Sequence, residues 1–359
     1  GTDSTGTLSS ADGNTGVGTS VFSALTTGDN NVAVGLCAMK LNTTGSCNVS
    51  VGRRSLDANI SGSCNTAVGI NSLTSLTTAS NITAIGSLAL NDLTTGSNNV
   101  AVGTEAGANI TTGSNNSAFG NFALLCTTDA IGNTALGAAA SAKNVTGDCN
   151  TAVGQLALCT NTAGSNNVAV GNNALKANTA SDNTAVGTNA LLTNTTGARN
   201  TAVGINSLEV NTTGVDNTVV GSEALKSNTT GSQNIAIGKF SLAANTTASN
   251  NVAAGHRSME TNTTGAANVA IGEQALRYNT TGANNTAVGS NAGLNITTGF
   301  SNVSVGQGAL QANTTAGNNT AVGRVAGNKT TTGCQNVAIG TFAHCVNTTG
   351  DNNIAIGVC

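Results

Sequence analysis

Apolar and polar positions along the chain recur with a single period. Blocks beginning at Asn200, Asn217, Asn234, Asn251 and Asn268 repeat one 17-residue sentence, and the clearest copies read NTAVGINSLEVNTTGVD and NVAIGEQALRYNTTGAN. The phase extends from Asn14 to Asn353, with every spacing 17 except the 16 between Asn167 and Asn183. When positions are numbered 1 to 17 from the leading Asn, position 1 is Asn in 20 of 21 copies (Ile82 is the exception) and position 5 is Gly in all 21. Position 2 is Thr, Val or Ile except at Ser117; position 3 is nearly always Ala or Ser, and position 4 is Val, Ile, Leu or Phe apart from Ala254. Position 8 is mostly Ala or Ser, and position 9 mostly Leu. Branched side chains suit a pleated surface and fit helices poorly. The pattern therefore predicts a strand at positions 2–4 and a second near 7–10, with positions 4 and 9 in the core. Turns are expected at Gly 5 and at the frequent Gly of position 15, through positive φ or close backbone approach.

A short, constant period means that each block is one coil of a solenoid and that no coil buries its apolar face alone. The fold expected is all-β, a parallel β-solenoid of about 20 coils stacked at about 4.8 Å into a rod near 100 Å long. The domain reading is a partial N-terminal coil over 1–13 and one continuous repeat domain over 14–359. The missing residue of the block from Asn167 to Asp182 is expected in its NTAS turn, because a deletion within a strand would invert every later side chain.

Composition narrows the picture. Charged residues are 8% of the chain and aromatics 2%, with 46 Gly and no Pro, so neither a conventional globular core nor a disordered tail is available. Of the 27 charged residues, 26 fall at positions 6, 7, 10, 11, 16 and 17, the exception being Asp129, and those positions are expected to face water. Positions 1–5 carry no charge, although successive strand residues point to opposite faces. The first strand is thus expected to be covered on both sides, one of them by another chain. The net charge of −3 and dispersed Lys and Arg argue against nucleic acid. No run approaches 18 apolar residues and no signal peptide is visible at Gly1, so membrane insertion is not expected. The chain begins and ends in mid-pattern, and a processed or partial protein is expected.

Candidate functional residues are mostly structural. Asn183, Asn200, Asn217, Asn234, Asn251, Asn268 and Asn285 are expected to stack as an amide ladder, and Gly187, Gly204, Gly221, Gly238, Gly255 and Gly272 to make the turns. Cys47 and Cys64 share position 17 of successive coils and should sit as adjacent, reduced thiols, with Cα atoms within disulfide range. Sequons at Asn42, Asn194, Asn211, Asn228, Asn262, Asn279 and Asn347 follow from the NTTG turn, and glycosylation is a minor reading. No CxxC or Cys/His spacing suggests a metal, His256 and His344 lie five coils apart, and the carboxylates are scattered. No catalytic residue, cofactor or metal is expected.

The segments NNVAVG (Asn98 to Gly103, Asn166 to Gly171), QNVAIG (Gln335 to Gly340) and NNIAIG (Asn352 to Gly357) resemble the head repeats of trimeric autotransporter adhesins. The longer sentence NTTGxxNTAVGxxAL is similar to repeats of phage tail-fibre and surface-fibre proteins that often end in an endosialidase-type chaperone. The resemblance implies a homotrimeric β-roll acting as the shaft or receptor-contacting part of a viral or cell-surface fibre, with a glycan or other surface receptor as partner and a virion appendage or cell surface as location. A self-assembling extracellular filament is the alternative. An ice-binding solenoid is disfavoured because a flat TxT array is missing, and a tailspike-type glycan hydrolase because carboxylates do not cluster.

Overall fold

A computed structural model describes residues 10–358; the first nine residues of the expected partial coil, and Cys359, lie outside the described residues. The chain forms two compact units, one ending at Asp182 and the other beginning at Asn183. The first holds ten three-residue strands, from β1 (Thr15–Val17) to β10 (Val168–Val170), and the second eleven, from β11 (Thr184–Val186) to β21 (Ile354–Ile356). Within each unit neighbouring strands pair parallel and in register one coil apart, as Thr201 on Thr218, Ala202 on Val219 and Val203 on Val220. Each unit is therefore a parallel β-solenoid with a 17-residue coil, and no helix occurs among the described residues.

The strand occupies positions 2–4 throughout, but its inner face is not the one expected. Asn200 and Ala202 are fully buried whereas Thr201 and Val203 are partly exposed. Position 4 points outward, with Val34 36%, Ile237 45% and Leu136 49% exposed, and the core is built from positions 1, 3, 8, 9 and 12. Parity explains the correction: Asn 1 turns inward to saturate buried backbone, which forces 3 inward and 2 and 4 outward.

The second strand expected near positions 7–10 does not occur among the described residues. That segment is a run of turns in which positions 7 and 9 hold positive φ, as in Glu223 (55°) and Leu225 (49°), and position 17 does the same, as in Asp216 (58°). Left-handed residues at 7 and 9 bring positions 8 and 9 inward together, so Ala224 and Leu225 are both fully buried. Asn tolerates this region better than other residues with a Cβ, which accounts for Asn30, Asn81, Asn98, Asn115, Asn250 and Asn284 at position 17.

The two glycine positions act differently. Gly204 has φ 134°, and a Cβ there would lie 2.6 Å from the carbonyl oxygen of Gly221. Gly214, at position 15, has no positive φ; a Cβ on it would collide with the Gly231 carbonyl oxygen and Asn211 Oδ1.

In two coils interior volume is exchanged between positions. Where position 9 loses its Leu to Gly107 or Gly293, position 12 changes from Asn to Ile110 or Ile296, whose Cδ1 lies 3.0 Å from where the glycine Cβ would be. The same logic places Gly16 against Val21 and Phe22. The 16-residue block is shortened in its turn: Asn178 Nδ2 donates to Ala180 O, two residues on, at 2.6 Å, where Asn161 Nδ2 reaches Gly164 O, three residues on, at 2.8 Å. Ala169 before the deletion and Ala185 after it are both fully buried, each in its own unit.

Candidate functional site

The interior polar groups form two ladders. Asn200 N donates to Asn183 Oδ1 at 2.9 Å and Asn217 N to Asn200 Oδ1 at 3.0 Å; Asn217 Nδ2 joins the same oxygen at 3.0 Å. Asn200 Nδ2 also donates to Gly214 O at 2.8 Å. The pattern continues through Asn234, Asn251, Asn268 and Asn285. A second ladder runs along position 12, where Asn228 Nδ2 donates to Asn211 Oδ1 (2.8 Å) and to Gly231 O (2.9 Å). Sequence reasoning assigned the position 12 Asn to a local turn and missed this stacking; its signal was the recurrence of Asn at a second fixed position. Sequon residues Asn42, Asn194, Asn211, Asn228, Asn262 and Asn279 are fully buried, so their amide nitrogens are inaccessible to a glycan in the folded chain.

Three surfaces remain. The first is the outward stripe of positions 2 and 4, β-branched or apolar in nearly every coil and without charge. The second follows the NTTG turn, where Thr212 Oγ1 donates to Thr229 O at 2.9 Å, so the first Thr ties coil to coil and the second faces solvent. Cys47 and Cys64 lie nearby: Cys64 N donates to Ser46 O at 3.0 Å, both thiols are exposed, and none of the eight described cysteines is disulfide-bonded.

The third is a charged ladder in the second unit. Lys226 Nζ lies 3.3 Å from Glu223 Oε2 and 3.7 Å from Glu209 Oε2, and Arg277 Nε lies 2.7 Å from Glu260 Oε2. Arg277 also caps the Tyr278 ring at 5.0 Å, and Lys239 and Arg257 approach the Phe240 ring at 4.8 and 5.7 Å. His256 Nδ1 stands 3.9 Å from Glu273 Oε1, both side chains being well exposed. Between the ion pairs, Ala243 and Ala244 floor a notch of about 410 Å³ walled by Lys226, Ser227, Glu260, Thr261 and Arg277. Arg257 Nε lies 3.8 Å from Glu260 Oε1, and in a further surface ion pair the Arg199 guanidinium beside Asp216 holds its carboxyl below the usual carboxylate range. Among the described residues no three His, Cys, Asp or Glu side chains gather as a metal site, and no helix is long and apolar enough to cross a membrane.

Fold and surface define a parallel β-solenoid repeat protein. No family model matches the chain, and no curated protein is significantly similar to it.

Proposed function

We propose that the chain is the shaft or receptor-contacting part of a fibre on a virion or cell surface, non-enzymatic and assembled by lateral association of identical chains, with a trimer the expected assembly. The observation that carries this reading is the uncharged outward stripe. Its side chains, Val203, Val220 and Ile237 among them, repeat in register down each unit and stay partly exposed. Strands about 10 Å long spaced about 4.8 Å apart give each unit a face of roughly 500 Å², so pairing it with a second copy buries about 1,000 Å², the lower bound of a specific interface. The charged and hydroxyl positions then stay outward, available to a surface glycan or other receptor.

The test is the mass of the chain in solution by sedimentation, for wild type and Ile237→Glu. Wild type is expected as an oligomer that the glutamate splits; a wild-type monomer would remove the fibre reading. Ala202 and Ala236 are unsuitable probes because both are buried inside their own coils, where a glutamate breaks the coil itself. Imaging of the native particle separates a thin appendage, which this reading expects, from a continuous polymer.

A further inference from the structure

We propose that the notch over Ala243 and Ala244 binds one ring of a neutral glycan. The proposal rests on the attachment reading and gives it a place on the surface. Position 10 of five successive coils reads Glu209, Lys226, Ala243, Glu260 and Arg277, a charged ladder with its middle rung removed. The backbone beneath is regular: Ser227 N donates to Ala243 O (3.1 Å), Ala244 N to Glu260 O (3.0 Å) and Thr261 N to Arg277 O (3.1 Å). The void is thus a missing side chain on an intact coil. Its height is one coil, about 4.8 Å, the thickness of a saturated six-membered ring. It is a shallow, solvent-open depression, so a bound ring would rest on it with one face in water.

The lining sets the ligand class. The methyl groups of Ala243 and Ala244 offer an apolar floor to the C–H face of a sugar. Lys226 and Arg277 present donors on one wall and the other, and Glu260 presents acceptor oxygens, so ring hydroxyls can both accept and donate. These groups are already held by their ion pairs to Glu209, Glu223 and Glu260, which fixes their direction before a ligand arrives. Thr261 contributes position only, its hydroxyl donating to the carbonyls of Arg277 (2.9 Å) and Asn279 (3.1 Å). Three carboxylates, Glu209, Glu223 and Glu260, face three cations, Lys226, Arg257 and Arg277, so charge cancels around the notch and nothing favours an acidic sugar over a neutral one.

The experiment is saturation-transfer NMR on the full chain with glucose, galactose, mannose and N-acetylneuraminic acid as separate probes. Ala243→Lys restores the missing rung with a side chain that position 10 already carries at Lys40 and Lys176; Ala243→Gln is a shorter, uncharged block should lysine disturb the coil. Ala142→Lys, at position 10 of the first unit, is the control. At least one neutral hexose is expected to bind wild type and the control alike and to lose at least tenfold in affinity in the Ala243 variants. Binding that survives both Ala243 variants, no hexose binding to wild type, or binding of the acidic sugar alone overturns the assignment. The fibre reading fails separately, through the sedimentation of wild type and Ile237→Glu.

Discussion

One substitution made at two equivalent positions should change stability in opposite directions. Asn228 sits inside the position 12 ladder, donating to Asn211 Oδ1 and Gly231 O while its own Oδ1 accepts from Asn245 Nδ2 at 2.9 Å. Asn228→Leu removes three hydrogen bonds and leaves Asn211 Oδ1 buried without its donor, an expected loss of about 2–4 kcal/mol after the apolar gain is allowed for. Asn313 occupies the same position, but Ile296 precedes it in the ladder and Thr330 follows it. Its amide nitrogen and oxygen are both buried without a hydrogen-bond partner among the described residues. Asn313→Leu loses nothing and relieves an unsatisfied amide, so a gain of about 1–3 kcal/mol is expected. Leucine fits there, since Leu76 and Leu93 are fully buried at the same position. The two variants should therefore differ by about 3–7 kcal/mol. Solenoids unfold locally, so the measurement is hydrogen exchange of the coil amides, supported by denaturation midpoints. Shifts of the same sign in both variants would refute the claim that ladder continuity, and not polarity as such, sets the value of a buried Asn.

Ile296→Asn alone should leave a cavity beside Gly293 and destabilise by about 1–3 kcal/mol; with Gly293→Leu added, the ladder is rejoined and thermal stability should return to wild type or better. Val325 holds φ 61° with a branched side chain, and Val325→Asn should raise stability by about 1 kcal/mol in equilibrium unfolding; no change would mean that the turn relaxes. Burial pushes the Cys159 thiol up, the nearby Lys143 and Lys176 opposing this only in part. A raised thiol binds its proton to higher pH, so native alkylation of Cys159 should need more alkaline solution than that of exposed Cys47 and Cys64; equal rates across the pH range would contradict its burial.

The period, the strand at positions 2–4 and the invariant turn glycine were legible because each depends on local chemistry that every coil repeats. The position 9 to position 12 exchange was present in the sequence as well, since Gly107 accompanies Ile110 and Gly293 accompanies Ile296. Its meaning required knowing that the two positions touch inside the coil. The charged notch was hidden for a related reason: its signal is an alanine where neighbouring coils carry charge, and one small residue in one copy reads as variation until stacking is known.

The misplaced second strand shows where pattern reading fails. Position 8 is small and position 9 large and apolar, and adjacent buried residues conflict with the alternation of a strand. Alternation fails because positions 7 and 9 take left-handed backbone, which turns two consecutive side chains the same way. Residues as different as Glu223, Phe240 and Arg257 hold that conformation at position 7, so it is imposed by the backbone ladder between coils and not by residue preference alone. Glu223 N to Ile205 O (2.9 Å), Phe240 N to Ser222 O (3.2 Å) and Arg257 N to Lys239 O (3.0 Å) are bonds of that ladder. Once one coil adopts the turn, the next can saturate its N–H groups only by repeating it. Asn recurs at position 17 and, as Asn71, Asn173, Asn189, Asn206 and Asn291, at position 7, but Arg199 and Ala267 hold the same conformation at 17; propensity favours the turn at both, and stacking, which no single block of sequence displays, fixes it.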